Sequence, residues 1–215
     1  MSDKRETELL MLPEGRVINA SLFEKDQFDE AAKPRYNIEL AFDPDDVEGA
    51  GTIEDKLLEY AVDKWGDGAE DDYFNDKIRS PLLDGDKMAA RREKKGKPGD
   101  AYKGKLVIRA HTFFNLDGND APGGIQVWDE NTKAITIMSQ AKIYSGMYGV
   151  AGVTIGDYMG KDQDGDEVPS LMFYLGGFKK TGDGERLVTT KDTSTLFKAV
   201  GRKKGDTAKR KTRKG

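Results

Sequence analysis

The chain has 215 residues, a formal net charge of −4 and no cysteine, which excludes disulfides, thiolate nucleophiles and cysteine-ligated metal centres. Hydrophobic residues make up 36% and charged residues 34%, so we expect one compact core surrounded by long polar loops. The sequence begins without an apolar signal segment and has no apolar run of about 18 residues. We therefore expect a cytoplasmic protein that does not enter a membrane.

The first half of the chain predicts two strands and one main helix. Apolar positions in residues 15–23 and the regular alternation in residues 35–42 predict strands. Residues 52–65 predict an amphipathic helix with Thr52 as its N-cap and one apolar stripe. The polar segment over residues 67–102 predicts long, mobile loops.

The second half predicts five strands and a short final helix, over residues 105–114, 125–128, 135–144, 147–158, 168–175 and 194–200. Glycines interrupt the strand over residues 147–158, which indicates barrel curvature, close approach of another chain, or both. Antiparallel strands with one main helix and no βαβ alternation predict a mainly β fold, either a small barrel or a sandwich.

The strand over residues 105–114 carries the clearest functional pattern. One face is apolar or small, and the other carries Lys105, Val107, Arg109, His111 and Phe113. Cations bind phosphates and rings stack on unpaired bases, so a solvent-facing strand of this kind favours nucleic acid. The alternative is a half-exposed strand with an ordinary polar outer face.

The end of the chain is strongly basic. Residues 201–215 contain eight Lys or Arg and one Asp, a net charge of +7, which leaves −11 on residues 1–200. A block this polar cannot bury enough surface to fold, so we predict a disordered tail that contacts a polyanion, with a solubilising tail as the alternative. The predicted organisation is a flexible N-terminus over residues 1–11, a binding domain over residues 12–200 and the tail over residues 201–215.

Signals for catalysis are weak. His111 is the only histidine, which excludes sites that need two imidazoles, and neither a P-loop nor a nucleophile elbow occurs. The acidic segment over residues 162–167 lacks the spacing of a calcium loop and predicts a hairpin turn. We predict no enzyme, no metal and no cofactor. The alternatives are a metal-dependent nuclease using Asp84, Asp86 and other loop carboxylates, and an accessory protein that binds partners through its acidic face.

Several short motifs follow one another in a characteristic order. They are Pro34-Arg35-Tyr36-Asn37-Ile38-Glu39-Leu40, Pro81-Leu82-Leu83-Asp84-Gly85-Asp86, Tyr144-Ser145-Gly146-Met147-Tyr148, Gly176-Gly177-Phe178-Lys179-Lys180 and Gly184-Glu185-Arg186-Leu187. Over residues 12–187 this order resembles a family of phage single-stranded-DNA-binding proteins of the enterobacterial phage type. The resemblance implies an oligonucleotide-binding (OB) barrel with long inserted loops, and a role in coating single strands during replication and recombination.

The candidate DNA-binding residues come from two sources. The resemblance carries over Arg35, Tyr144 and Tyr148, which lie within its motifs. Chemistry and expected exposure add the others, namely Lys105, Arg109, His111, Phe113, Trp128, Lys142, Lys179, Lys180 and the tail residues Arg202, Lys203, Lys204, Lys209, Arg210 and Lys211. The expected partners are single-stranded DNA, duplex DNA through the tail, and replication proteins. Proteins of this function commonly end in an acidic tail, and the basic tail departs from that pattern.

Overall fold

The computed structural model describes residues 8–27, 33–44, 47–113, 125–161 and 165–187, without the side chains of residues 47–50, 137 and 138. The helix predicted over residues 194–200 and the basic tail lie outside the described residues. None of the described helices is long and apolar enough to cross a membrane.

The described chain is mainly β, as predicted, with eight strands and three α-helices. In chain order these are β1 (Leu10–Met11), β2 (Gly15–Asp26), β3 (Arg35–Phe42), α1 (Val47–Trp65), α2 (Ala69–Phe74), β4 (Leu82–Asp84), α3 (Gly85–Lys94), β5 (Leu106–Thr112), β6 (Gln126–Trp128), β7 (Tyr148–Lys161) and β8 (Glu167–Gly182), with short 3-10 helices at Asp100–Tyr102 and Ile137–Lys142.

The strands form one sheet in the order β1-β7-β2-β3-β5-β8-β6, with β4 paired to β5. Because β7 pairs with both β2 and β8, the sheet bends back on itself. The prediction of purely antiparallel strands is wrong at two places, since β8 runs parallel to β5 and to β6. The direction of β8 is set by its long antiparallel pairing with β7.

The two faces of the sheet are covered differently. The inner face packs against α1 in the main core, where the predicted stripe of Ile53, Leu57 and Ala61 is buried. On the opposite, outer face a smaller apolar cluster lies beneath α3: Ile18, Ala41, Ala89, Tyr102 and Val107. On the outer face of β7 and β8, Tyr148, Tyr158 and Tyr174 are exposed.

The prediction of mobile loops over residues 67–102 is wrong. The Asp84 side chain accepts a hydrogen bond from the Lys87 backbone N–H at 3.0 Å and so caps α3. The helix buries Ala89, and the following 3-10 turn buries Tyr102. Packing against residues that are distant in sequence therefore orders a segment whose composition is polar.

Residues 135–144 are also not a strand. Thr136 and Ser139 form a capping box there, and this local bonding favours a 3-10 helix over strand pairing.

The glycines of β7 serve two purposes. Irregularities in the pairing with β8 occur beside Gly149 and Gly152, in keeping with local bending of the strand. A Cβ added to Gly149 would lie 2.2 Å from the Phe178 ring, so this glycine also allows close packing in the core. In the described chain the close approach is made by side chains of the same protein.

Candidate nucleic-acid interface

A groove of about 1090 Å³ is lined by residues of β5, α3, the segment that precedes β4 and the far end of β7, and by residues of α1 and α2. Its cationic lining residues come from four different elements. They are Arg35, Arg79, Lys87, Arg91 and Arg109, and they are joined by His111 and the rings of Phe74 and Tyr158. Three carboxylates, those of Glu54, Asp76 and Asp84, also line it.

Local structure brings the cations to this groove. Lys87 and Arg91 are four residues apart on α3, so they share one face of the helix. Arg79 is held at the edge of β8 by two backbone hydrogen bonds, one donated to Pro169 at 2.9 Å and one accepted from Leu171 at 2.8 Å. The groove is therefore built on fixed elements.

Four of the groove cations have no carboxylate partner among the residues that the structure describes. Within the described ranges, no ion pair involves Arg35, Arg79, Lys87 or Arg91. Their charges are available to an anionic ligand, because nothing in the described chain neutralises them by direct contact.

The other predicted cations are mostly paired. Lys105 contacts Asp43, Arg109 contacts Glu39 at 2.7 Å, Lys142 approaches Asp129 at 3.9 Å and Lys180 contacts Asp183 at 2.6 Å. Lys179 donates to the Thr132 hydroxyl at 3.2 Å. Charges engaged in this way attract phosphate less strongly than free ones.

Glu39 is the centre of a buried polar network under the groove. It is 7% exposed, and its Oε1 accepts hydrogen bonds from Arg109 Nε at 2.9 Å and Nη2 at 2.7 Å. Its Oε2 accepts one from the Tyr102 hydroxyl at 2.7 Å. Burial and the nearby Glu39 carboxylate raise the pKa of Tyr102, which keeps this hydroxyl a donor. The network joins β3 and β5 to the turn behind α3.

The outer face of β5 is less exposed and less charged than its sequence suggests. Burial, assisted by Arg35 and Arg109, lowers the pKa of His111 to about 4, so the imidazole is neutral near pH 7. His111 lies edge-on to Phe113, with ring centroids 5.8 Å apart, and Lys33 lies 5.1 Å from the Phe113 ring centroid. The apolar inner face of the strand is confirmed, because Ile108 and Ala110 are buried.

The remaining predicted residues lie elsewhere. Tyr144 packs against the main core and donates to Asp183 at 2.7 Å, with Arg186 stacked 4.1 Å from its ring centroid. Tyr148 and Tyr158 occupy the two ends of β7, about 33 Å apart at the usual rise of a strand. The candidates therefore separate into a groove group and a group near the start of β7, and Tyr144 does not reach the groove.

Sequence reasoning missed Arg79, Lys87, Arg91 and Phe74 as site residues. Asp84 as an N-cap, with Asp86 in the first turn and basic residues in the last turn, is a helix signal, and Lys87 and Arg91 are four residues apart on that helix. The carboxylates of the nuclease alternative have structural roles, since Asp84 caps α3 and Asp86 accepts from the Gly104 N–H at 2.8 Å. Across the described residues no three acidic or histidine side chains cluster as a metal site would require.

A groove that combines unpaired cations with exposed rings is typical of proteins that bind unpaired nucleic acid strands. The family model described as Enterobacter phage Enc34, ssDNA-binding protein matches residues 10–208, and the chain belongs to this family. This membership confirms the predicted class, a non-enzymatic single-stranded-DNA-binding protein.

Solved structures give the same fold. The single-stranded DNA-binding protein from bacteriophage Enc34 in complex with ssDNA is 16% identical, with a TM-score of 0.57 over 84% of this chain and 89% of that chain. The gp2.5 single-stranded DNA binding protein of bacteriophage T7 is 12% identical, with a TM-score of 0.54 over 94% and 99% of the two chains. At these identities the likeness concerns the fold. No curated protein matches the chain in sequence.

Proposed function

We propose that the protein binds single-stranded DNA in this groove, with little sequence preference, and coats single strands during phage replication and recombination in the host cytoplasm. The observation that carries this proposal is the concentration of four unpaired cations and two exposed rings in one groove. Outside its tail the chain carries −11, so a local excess of free positive charge is the feature that selects a polyanion.

Phosphates and bases bind to different parts of the groove in this proposal. Arg35, Arg79 and the two α3 cations neutralise phosphates and release condensed counterions. Phe74 is 61% exposed and Tyr158 is 45% exposed, and their rings stack on unpaired bases. Each good stack contributes on the order of 1–3 kcal/mol, and it tolerates any base because every base has a flat face.

The paired cations have a secondary role. Lys105, Arg109, Lys142 and Lys180 stabilise the structure through their carboxylate partners and contribute less to phosphate binding. The basic tail, with Arg202, Lys203, Lys204, Lys209, Arg210 and Lys211, adds contacts to the DNA backbone that do not distinguish single strands from duplex.

Comparing free with paired cations tests the proposal. Fluorescence anisotropy with a labelled oligo-dT is recorded against salt for Arg79→Ala and Arg91→Ala, with Lys105→Ala and Lys142→Ala as matched controls. Each free cation that binds a phosphate contributes about 0.7 to the slope of log affinity against log salt, so the two arginine variants lower the slope by about that amount. The lysine variants change it less. Equal slopes in all four variants would contradict the assignment of phosphate binding to the groove.

The role of the rings is tested with two substrates. Phe74→Ala and Tyr158→Ala are expected to weaken binding to oligo-dT by about fivefold or more, since each removes one stack. Binding to duplex of the same length is expected to change less, because paired bases are not available to the rings. A loss of the same size on both substrates would argue against stacking.

A further inference from the structure

The outer face of β7 has a regular pattern. Its outward positions, read from Tyr148 to Gly160, are Tyr, Val, Gly, Thr, Gly, Tyr and Gly, and none of them is acidic. The inward positions include Ala151, Val153 and Ile155, which are part of the main core. Every fourth residue from Gly152 onward is therefore an outward-facing glycine.

Each of these glycines has a side chain from a neighbouring element above it. A Cβ on Gly156 would lie 2.2 Å from the Tyr174 ring, and a Cβ on Gly160 would lie 2.8 Å from Ser170 Oγ and 3.1 Å from Arg79 Nη1. Above Gly152 the nearest atoms belong to Leu9 and Met11 of the N-terminal segment, both at 3.7 Å. Gly156 and Gly160 thus leave room for neighbouring side chains close to the strand, whereas Leu9 and Met11 lie at ordinary contact distance above Gly152.

The exposed apolar and aromatic side chains along β7 and its neighbours are together called the outer strip: Tyr158, Tyr174, Trp128, Leu9, Met11 and Tyr148. All but Trp128, which is partly exposed, are between 39 and 63% exposed. Trp128 joins the strip because its ring lies above Gly177, the cross-strand partner of Gly152. The strip begins in the groove, since Tyr158 lines it, and ends at the start of β7.

We propose that bound single-stranded DNA continues from the groove along the outer strip, so that the binding site extends over the whole of β7. This inference rests on the proposed function. The strip shares Tyr158 with the groove and presents rings suited to stacking. The groove residue Arg79 lies above Gly160 of β7, and Lys179 lies at the register position of Val150 near the far end of the strip. The strip suits a bound DNA strand, because it presents several rings and no outward position of β7 carries an acidic side chain.

The length of the strip predicts the size of the site. Ten residue steps along β7 span about 33 Å. At 3.4 Å for each stacked nucleotide this corresponds to at most about 10 nucleotides, and to fewer if the bases are spread apart. An oligo-dT of about 5 nucleotides fills the groove alone, whereas one of about 15 also covers the strip.

Two exposed methionines on β1 and β7 provide a matched test. Met11 is 62% exposed on the strip, and Met159 is 54% exposed at a position of β7 that faces the other way. In the full chain, Met11→Ala and Tyr148→Ala are expected to weaken binding of the longer oligonucleotide, by about fivefold for Tyr148→Ala, and to leave the shorter one unchanged. Met159→Ala is expected to leave the binding of both oligonucleotides unchanged, whereas Tyr158→Ala is expected to weaken the binding of both.

Tryptophan fluorescence gives an independent readout. In a Trp65→Phe variant Trp128 is the only tryptophan, and its emission is expected to be quenched by the longer oligonucleotide and not by the shorter one. Equal quenching by both lengths, or none by either, would overturn the proposal.

The failure of the inference can be distinguished from failure of the proposed function. If Tyr158→Ala weakens binding while Met11→Ala and Tyr148→Ala leave both lengths unaffected, the groove binds DNA and the strip does not. The strip variants could instead weaken binding of both oligonucleotides equally. They could also change the sedimentation coefficient of the protein while the dependence of binding on oligonucleotide length stays as in the unmodified chain. In either case the strip has a structural or protein-binding role and the proposal is wrong. If the unmodified chain binds neither oligonucleotide, the proposed function itself is wrong.

Discussion

Replacing Glu39 by Gln tests whether this buried carboxylate limits the charge of the groove. Glu39 accepts two hydrogen bonds from Arg109 and one from Tyr102, and it is almost completely buried. The substitution removes the negative charge and one of the two acceptor oxygens while it keeps the size of the side chain. We expect a less stable protein that binds single-stranded DNA more tightly.

The two magnitudes follow from the geometry. Breaking a buried ion pair costs about 3–5 kcal/mol, but the Arg109 side chain is 36% exposed and regains part of its hydration, so we expect a loss of about 2–3 kcal/mol in the free energy of unfolding. The released guanidinium can neutralise one more phosphate, which raises the slope of log affinity against log salt by about 0.7.

The assays are urea unfolding and a salt titration of oligo-dT binding, with Tyr102→Phe as the control. Tyr102→Phe removes one hydrogen bond to Glu39, worth about 1 kcal/mol, and leaves the ion pair with Arg109 in place. It should therefore lower stability without changing the salt slope. If Glu39→Gln lowered DNA affinity or left the slope unchanged, Glu39 would not be neutralising a potential phosphate ligand, and the reasoning would be refuted.

Two further predictions concern protonation and packing. Because the pKa of His111 falls from 6.5 to about 4 on folding, the contribution of the neutral imidazole to stability is complete above pH 6.5 and is lost as the pH decreases towards 4. The upper limit of this loss in the free energy of unfolding is about 3.4 kcal/mol, and partial solvent exposure reduces it to about 1–2 kcal/mol. Urea unfolding from pH 4 to 7.5 should show a shallower dependence for His111→Asn, and identical curves would contradict the assignment. Gly156→Ala places a Cβ 2.2 Å from the Tyr174 ring, so we expect it to lower stability by about 1–3 kcal/mol and to weaken oligo-dT binding. The control is Gly182→Ala, whose added Cβ would have no neighbouring atom within 4 Å and should change neither property. Similar thermal melting of the two variants would argue against the close contact.

The elements that sequence predicted well are those with a strong local signal. The alternation in Arg35–Phe42 gave the bounds of β3 correctly, and the apolar stripe predicted the buried face of α1. The segment Gly85–Lys94 gave a weaker signal, because most of its residues are charged and only Ala89 and Gly85 are buried. Its stability depends on Tyr102 and Val107, which come later in the chain, so composition alone suggested a loop.

Exposure and pairing of charges were harder to predict than strands. Lys105 pairs with Asp43 across 62 positions, and Arg109 pairs with Glu39 across 70. The second pair exists because β3 and β5 align Glu39 directly opposite Arg109. A one-residue change of register would abolish that contact, and register between distant strands is not visible in one sequence. Choosing cations by strand alternation therefore selected several that are neutralised.

The direction of the DNA path follows from where acidic residues border the groove. Phe74 is the last residue of α2, and the first turn of that helix carries Glu70, Asp71 and Asp72. A strand that passed Phe74 towards α2 would approach these carboxylates within roughly a Debye length, about 8 Å at physiological salt, and would be repelled. The outward positions of β7 carry no carboxylate, so the path is closed by like charge at one end and open along the strip at the other. We infer that an acidic body helps a DNA-binding protein here, because it favours binding of the DNA backbone to the surface where free cations and rings lie together.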